Sequence, residues 1–490
     1  MKILLVSAAT PDTFWSYKHV LSFVSKKAAY PPLGLLTVAG MLPRDWQLKL
    51  IDLNVTKLSD ADITWADYVF VSAMIVQADS AREVVSRCNE KGRIVVAGGP
   101  LFTTSHDRFP EIKHFVLGEA ENVIEKLIAD MTAGNLERFY QNDNWPDVKQ
   151  TPVPRWDLIK LGHYVTMPLQ FSRGCPFDCE FCDIIVLNGR IPRVKSPSQM
   201  IGELDSLVDL GWKGSIFIVD DNFIGNKTKV KAFLRELVAW RKQRAIGISF
   251  MTEVSLNVVD DPALLDLMVK AGFKKLFVGI ETPQEDSLIE CAKIQNTQRD
   301  MAAAVRTIQN AGIEVMGGFI VGFDNDKSSI FEQQLKFIQE TGIVTAMVGL
   351  LTAVPGTRLF SRLTNEGRIL GHPTGNNVDS VLNFIPKLDR DVLIEGYRSL
   401  VKHIYSPKAY YDRILTFLRE YKPQGPRSCP SWCDMKAFIK SLWVMGVWTR
   451  GRCEYWKFFT RALVFHARAF PEAMQLAIVG YHFRRIAMSL

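Results

Sequence analysis

Three cysteines within eight residues, set directly behind an apolar run, limit what this chain can become. The segment Arg173-Gly174-Cys175-Pro176-Phe177-Asp178-Cys179-Glu180-Phe181-Cys182 spaces them Cys-x3-Cys-x2-Cys and follows the strand-like Pro168–Ser172. So crowded a trio cannot pair off as disulfides, and no fourth zinc ligand stands nearby. Thiolates are the usual ligands of iron–sulfur clusters. Three of them on a 4Fe–4S cluster leave one iron open to a substrate or cofactor. Phe181 is placed to shield such a cluster from water. A structural zinc site completed by a distant residue is the alternative reading.

The trio sits inside the second of two alternating arrays. Residues 1–135 carry short apolar runs at Lys2–Ser7, Leu48–Leu53, Tyr68–Ser72, Arg93–Ala97 and His114–Leu117, with helical stretches between them. That rhythm predicts a parallel, doubly wound sheet, a Rossmann-like domain with its ligand at the carboxyl ends of the strands. Prolines 146, 152 and 154 mark a linker over 136–166. The second array has strands near Pro168–Ser172, Ser215–Asp220, Gly247–Thr252, Lys275–Ile280, Glu314–Val321 and Thr345–Leu351. Helices fit near 198–210, 226–243, 261–271, 297–311 and 327–341. Six such units predict an α/β partial TIM-type barrel, (β/α)6, over 167–360, with an ordinary doubly wound sheet as the alternative. In a barrel the cysteines fall on the catalytic, C-terminal face. Residues 361–490 read as a mainly helical C-terminal region, broken at Lys422-Pro423-Gln424-Gly425-Pro426.

Charge excludes one class of partner. Residues 431–490 hold nine Lys/Arg against three acids, nearly all of the net +7, and four of the eleven tryptophans. The rest of the chain is close to neutral, so bulk charge gives nucleic-acid binding no support. No window offers about 18 consecutive apolar residues for a spanning helix. The opening Met1–Ser7 is too short an apolar run for a signal peptide and reads as a first strand. A cytoplasmic protein is expected.

Cys-x3-Cys-x-aromatic-Cys after the first strand of a six-unit barrel resembles the radical S-adenosylmethionine (SAM) enzymes. Matches follow in order: Asp220-Asp221-Asn222-Phe223, Glu253, Gly279-Ile280-Glu281-Thr282, Gly317-Gly318-Phe319-Ile320-Val321-Gly322-Phe323 and Val354-Pro355-Gly356-Thr357. The resemblance implies that Cys175, Cys179 and Cys182 hold a 4Fe–4S cluster whose fourth iron takes SAM, and that the pair generates a radical able to abstract hydrogen from an unactivated carbon. It implies SAM contacts from the backbone of Gly317, Gly318 and Gly322 and from Glu253 and Glu281. Polar packing within the barrel wall is the alternative for both carboxylates, and Asp220 and Asp221 have helix capping as theirs. An electron donor such as ferredoxin or flavodoxin is implied. No catalytic acid or base is assigned.

A Rossmann-like domain ahead of such a barrel resembles the cobalamin-binding class. Gly98 and Gly99, in Val95-Val96-Ala97-Gly98-Gly99-Pro100, and Ser72 are the implied cobalamin contacts. None of His19, His106 or His114 stands in Asp-x-His-x-x-Gly, so cobalamin would bind without a motif histidine beneath it. No Gly-x-Gly-x-x-Gly follows the first strand, which argues against a nicotinamide site. With Asp12-Thr13-Phe14-Trp15-Ser16, Lys26–Pro32, Phe319–Asp326 and the tail, the whole chain is similar to the subgroup containing the hopanoid C-2 methylases.

That resemblance implies a radical SAM C-methyltransferase acting on a hydrophobic small molecule, a hopanoid-type lipid. A radical SAM cyclase, or another cobalamin-dependent radical enzyme on a different hydrophobic substrate, is the alternative, and a non-enzymatic redox or cobalamin-sensing module is a third. The tail adds one more expectation. Ala437–Arg450 and Glu454–Arg468 read as basic amphipathic helices rich in tryptophan, suited to peripheral contact with the inner membrane surface. An ordinary helical cap is the alternative. Cys429, Cys433 and Cys453 are expected as free thiols.

Overall fold

The computed structural model describes residues 1–424 and 432–490. Cys429 and the Gly425-Pro426 end of the expected break lie outside the described residues.

The first sheet has six parallel strands: β1 (Lys2–Ser7), β2 (Gln47–Asp52), β3 (Tyr68–Ser72), β4 (Ile94–Gly98), β5 (His114–Val116) and β6 (Phe139–Tyr140), in the order β2-β1-β3-β4-β5-β6. Five were expected. The sixth, two residues long, lies in the stretch read as linker. Alternate residues of β1 enter different cores: Leu4 and Val6 pack with Val84, Val85 and Phe102, and Ile3 and Leu5 pack with Leu35, Leu127 and Met131. A sheet covered on both faces is the doubly wound arrangement. Its strand order reverses between β1 and β3, which opens a crevice at their carboxyl ends.

The second sheet is built from β7 (Thr166–Leu169), then, past the hairpin strands β8 (Ser172–Arg173) and β9 (Arg193–Val194), from β10 (Ser215–Ile218), β11 (Phe250–Val254), β12 (Phe273–Glu281), β13 (Glu314–Val321) and β14 (Ala346–Leu350). Its order is strictly sequential and parallel, β14-β13-β12-β11-β10-β7. Right-handed crossovers along a sequential sheet put every helix on the same side, so the sheet curls into a barrel and the doubly wound alternative fails. The helices start at local signals: Ser196 caps Pro197–Asp209 by accepting from Gln199 N, and Asp261 caps Pro262–Ala271 by accepting from Leu264 N.

Among the described residues β7 and β14 do not pair, and other segments line the gap. Val165 N and Thr166 N donate to Ala28 O and Ala29 O (3.2 and 3.1 Å), so the loop after β1 lies along the β7 edge. On the other edge, Tyr405 Oη donates to Ala346 O at 2.6 Å. The last helix, Phe470–Ser489, reaches back to the start of the chain, where His482 Nε2 donates to Thr13 O (3.0 Å) and Phe14 O (3.3 Å). Burial depresses His482 to about 4, which keeps it neutral there. One core therefore runs from Phe14 and Tyr164 through the barrel to Phe483. The C-terminal region is helical, as expected, and no helix of the described residues is long and apolar enough to cross a membrane.

Candidate active site

The cysteine loop is held from the neighbouring strand end. Asp220, just past β10, is fully buried and accepts from Phe171 N (2.7 Å), Ser172 N (2.8 Å) and Ser172 Oγ (2.6 Å). Asp221 Oδ2 accepts from Asn188 Nδ2 (2.9 Å) and Gly174 N (3.4 Å). The two acids thus clamp the approach to the cysteines. Helix capping does not describe them: the next helix, Lys227–Arg244, is capped by Asn226. Gly174 has φ +97°, and a Cβ there would lie 2.9 Å from the carbonyl oxygens of Asn188 and Gly189, so only glycine passes this point.

The three thiols share one pocket of electrostatics. Cys179 acts on both Cys175 and Cys182, and burial raises all three above the usual thiol range. Cys179 is buried and the other two half-buried. Asn222 Nδ2 donates to Cys175 Sγ and Gln295 Nε2 to Cys179 Sγ, each at 3.8 Å. Burial works against the Lys293 ammonium, but Glu281 and Cys179 outweigh it and hold the proton on; Nζ is 2.6 Å from Glu281 Oε1. Three thiols that need help to ionise, two amide donors aimed at sulfur and one cation in range make a donor set that fits an anionic iron–sulfur cluster. Among the described residues no three His, Cys, Asp or Glu side chains close on a single ion. A cluster held at three corners spreads its thiolates wider than one ion does. Phe181 packs against Phe323, ring centroids 6.2 Å apart.

The other expected residues sort by position. Glu281 ends β12 at φ +64°, beyond a register shift between Gly279 and Glu281. Asn296 Nδ2 donates to Gly279 O and Ile280 O, and Gln334 Nε2 to Ile320 O at 2.7 Å and Glu281 O at 3.4 Å, so the surroundings over-determine this strained backbone. Glu253, half-buried on β11, is pushed up to about 8 by burial and by Asp221 and Asp220. A Cβ on Gly318 would meet Phe277 Cζ at 2.9 Å, and one on Gly317 would meet Phe319 at 2.7 Å and Ile343 at 3.0 Å. Adjacent glycines therefore face opposite sides of the wall, Gly318 with Phe277 and Gly317 toward the Phe319 side. Gly322 N donates to Asp326 Oδ2 at 2.8 Å.

Ser72, Gly98 and Gly99 meet at the first domain's crevice. Gly99 has φ +96°, and a Cβ there would sit 2.7 Å from Ser72 Oγ, so the β3 and β4 ends press together as a surface with the Ser72 hydroxyl against glycine backbone. Such a surface fits the close passage of a cobalamin nucleotide tail. None of the first domain's histidines enters it by motif.

What the sequence reading missed lies between the domains. Arg173 binds Glu119 and Glu121, and Arg193 binds Glu119, all four side chains largely buried. Trp15 stacks on Phe217 (6.1 Å, interplanar 6°) and tilts on Phe277 (5.1 Å), and Tyr30 tilts on Phe217 (5.5 Å). Loops after β1 and β5 of the first sheet thereby reach β10, β12 and the cysteine hairpin of the second. Arg173, Trp15 and Tyr30 lay in motifs the sequence singled out; the partners of the two aromatics are apolar strand residues with no separate signal, and Glu119, Glu121 and Arg193 lay in no motif.

Three known families match stretches of the chain: the B12 binding domain over 23–128, the radical SAM superfamily over 169–338 and a domain of unknown function, DUF4070, over 357–490. An uncharacterized methyltransferase of Synechocystis sp. is 40% identical across 99% of this chain and 91% of its own length. The hopanoid C-2 methylase of Rhodopseudomonas palustris is 32% identical across 98% of this chain and 92% of its own. Among solved structures, the cobalamin-dependent S-adenosylmethionine radical enzyme OxsB, with aqua-cobalamin and S-adenosylmethionine bound, superposes at a TM-score of 0.64 with 16% identity, over 100% of this chain and 79% of that one. That last likeness is one of fold.

Proposed function

The chain belongs to the radical SAM superfamily, among the members that carry a B12-binding domain and act as methyltransferases, and on that premise we propose that it methylates an unactivated carbon of a hopanoid-type lipid. Its cofactors are a 4Fe–4S cluster, SAM and cobalamin. Bound together, they supply an electron, a hydrogen-abstracting radical and a methyl group.

In this reading Cys175, Cys179 and Cys182 are the cluster ligands. Asp220 and Asp221 fix the loop that carries them, and Asn222, Gln295 and Lys293 stabilise charge on the sulfurs. Glu253, Glu281 and the backbone of Gly317, Gly318 and Gly322 receive SAM. Ser72, Gly98 and Gly99 receive cobalamin. Residues 1–135 hold cobalamin, 136–166 link, 167–360 hold cluster and SAM, and 361–490 close the barrel. The electron comes from an external donor of the ferredoxin or flavodoxin kind.

The observation that carries the substrate proposal is the aromatic wall between the domains. Trp15, Tyr30, Phe217 and Phe277 offer an apolar substrate stacking and edge contacts. The relatedness to a hopanoid C-2 methylase supports the class. The test is anaerobic reconstitution with iron, sulfide, cobalamin, SAM, reductant and hopanoid lipid, read by mass spectrometry. A product one CH2 heavier is expected. A product with no added carbon would favour cyclase chemistry and overturn the methylation of this lipid.

A further inference from the structure

The helical hairpin near the C-terminus shows solvent a face that a soluble surface does not need. Its first arm, Trp432–Trp443, turns through Val444–Trp448 into a second arm, Arg452–Phe465. The inner stripe is anchored: Ala437 packs with Val20 and Phe23, and Tyr455, Phe458 and Ala462 are buried, with Phe458 stacked on Tyr411 at 5.0 Å. The outer stripe is apolar and open. Trp432 is 72% exposed, Ile439 59%, Trp443 60%, Trp448 71%, Val464 69% and Phe465 76%. Residues 432, 439 and 443 recur at helical spacing, so they form one stripe. Scattered single apolar side chains are ordinary, but a stripe carrying Trp432, Ile439 and Trp443, extended at the turn by Trp448 edge-on to Trp443 at 6.4 Å, marks a contact surface.

The charges around that face choose the occupant. Exposed Lys436, Arg450, Arg452, Arg461 and Arg468 lie on the hairpin and just past it, against exposed Asp434 and a Glu454 paired with Lys457, and the four arginines have no acidic partner among the described residues. A second copy packed symmetrically on this face would bring like charges together. A surface with negative headgroups and an apolar interior satisfies both features, and tryptophan is suited to the boundary between them. We propose that this hairpin lies flat on an anionic phospholipid bilayer, with Trp443, Trp448 and Phe465 inserted among the acyl chains. Arms of this length lie in the interface and do not span it.

The proposal stands independently of the substrate, because it is tested with vesicles that contain none. The full-length protein is floated with vesicles of phosphatidylglycerol and phosphatidylcholine and with vesicles of phosphatidylcholine alone. About tenfold more protein is expected on the anionic vesicles, falling as salt rises. A Trp443→Ala, Trp448→Ala, Phe465→Ala variant and a separate Lys436→Glu, Arg461→Glu variant should each lose about tenfold of that binding, with unchanged circular dichroism and with turnover of detergent-dispersed substrate within about twofold. Equal binding to both vesicle types, or full binding by the charge-reversed variant, would overturn it. So would a native dimer, formed with rising concentration, that the aromatic variant dissolves, since the face would then be an interface between copies.

Discussion

Arg173, two residues ahead of the first cysteine of the trio, holds Glu121 of the first domain, Nη2 to Oε1, at 2.8 Å. Both side chains are nearly out of solvent, 13% and 4% exposed. Burial alone would raise the Glu121 carboxyl, but the Arg173 hydrogen bond and charge outweigh it and hold the carboxyl below its ordinary range. The cysteine loop is thus fastened across the domain boundary as well as to its own barrel.

Removing one member of this pair strands the other. Glu121→Ala is expected to cost about 3 kcal/mol by urea denaturation, because a buried guanidinium loses one of its two counter-charges. Arg173→Met removes the cation, leaving Glu121 without its counter-charge and Glu119 with Arg193 alone, so it should cost at least as much at pH 7. A Glu121→Ala protein as stable as the native one would show that the bridge holds nothing.

Asp220 gives a second prediction. Asp220→Ala deprives Phe171 N, Ser172 N and Ser172 Oγ of their acceptor in a dry site, which should cost about 3 kcal/mol or more. Asp220→Asn keeps one acceptor oxygen and should cost less. Iron bound after anaerobic reconstitution should fall in the same order. Full iron content in Asp220→Ala would mean the clamp is not needed to present the cysteines.

Asp220 also shows where the sequence was legible. The six barrel strands were readable because each is an apolar run between helix signals. The strands β6, β8 and β9 have two residues each, too few to make a pattern, and the hairpin formed by β8 and β9 carries Arg193. The pair Asp220-Asp221 was visible as a motif, but its role was not: its partners lie 33 to 49 residues back, and a capping residue looks the same in sequence. Arg173 with Glu121, and Trp15 with Phe217, are contacts across a domain boundary, which no local periodicity encodes.

The pH dependence of the cofactor-free protein tests Glu253. Its carboxyl has an ordinary value of 4.5 and is pushed up to about 8, by burial first and then by Asp221 and Asp220. The folded state therefore binds more protons than the unfolded state between those values, and stability falls as pH rises across that window. Asp220, pushed up to about 7 mainly by burial, adds a fall that ends sooner. In Glu253→Gln the decline should level off near pH 7, whereas the native protein should keep losing stability to pH 8. Identical losses in both proteins between pH 7 and 8 would show that Glu253 does not titrate there.

The last prediction separates packing from substrate recognition at the aromatic wall. Trp15 comes from the loop after β1 and stacks on Phe217 of the barrel, so its side chain serves the domain contact whatever else it does. If it serves only that contact, Trp15→Ala lowers stability and leaves the kinetics of the surviving fold untouched. If it also receives the methyl acceptor, the loss of an aromatic face worth about 1 kcal/mol raises KM by roughly fivefold while kcat holds, because binding weakens equally in ground and transition states. Trp15→Phe keeps an aromatic face of smaller area and should recover most of the KM. The readout is the KM-against-kcat split with saturating SAM and with iron content matched between variants. A native KM in a destabilised Trp15→Ala protein would make the wall structural and move the acceptor site elsewhere in the barrel mouth.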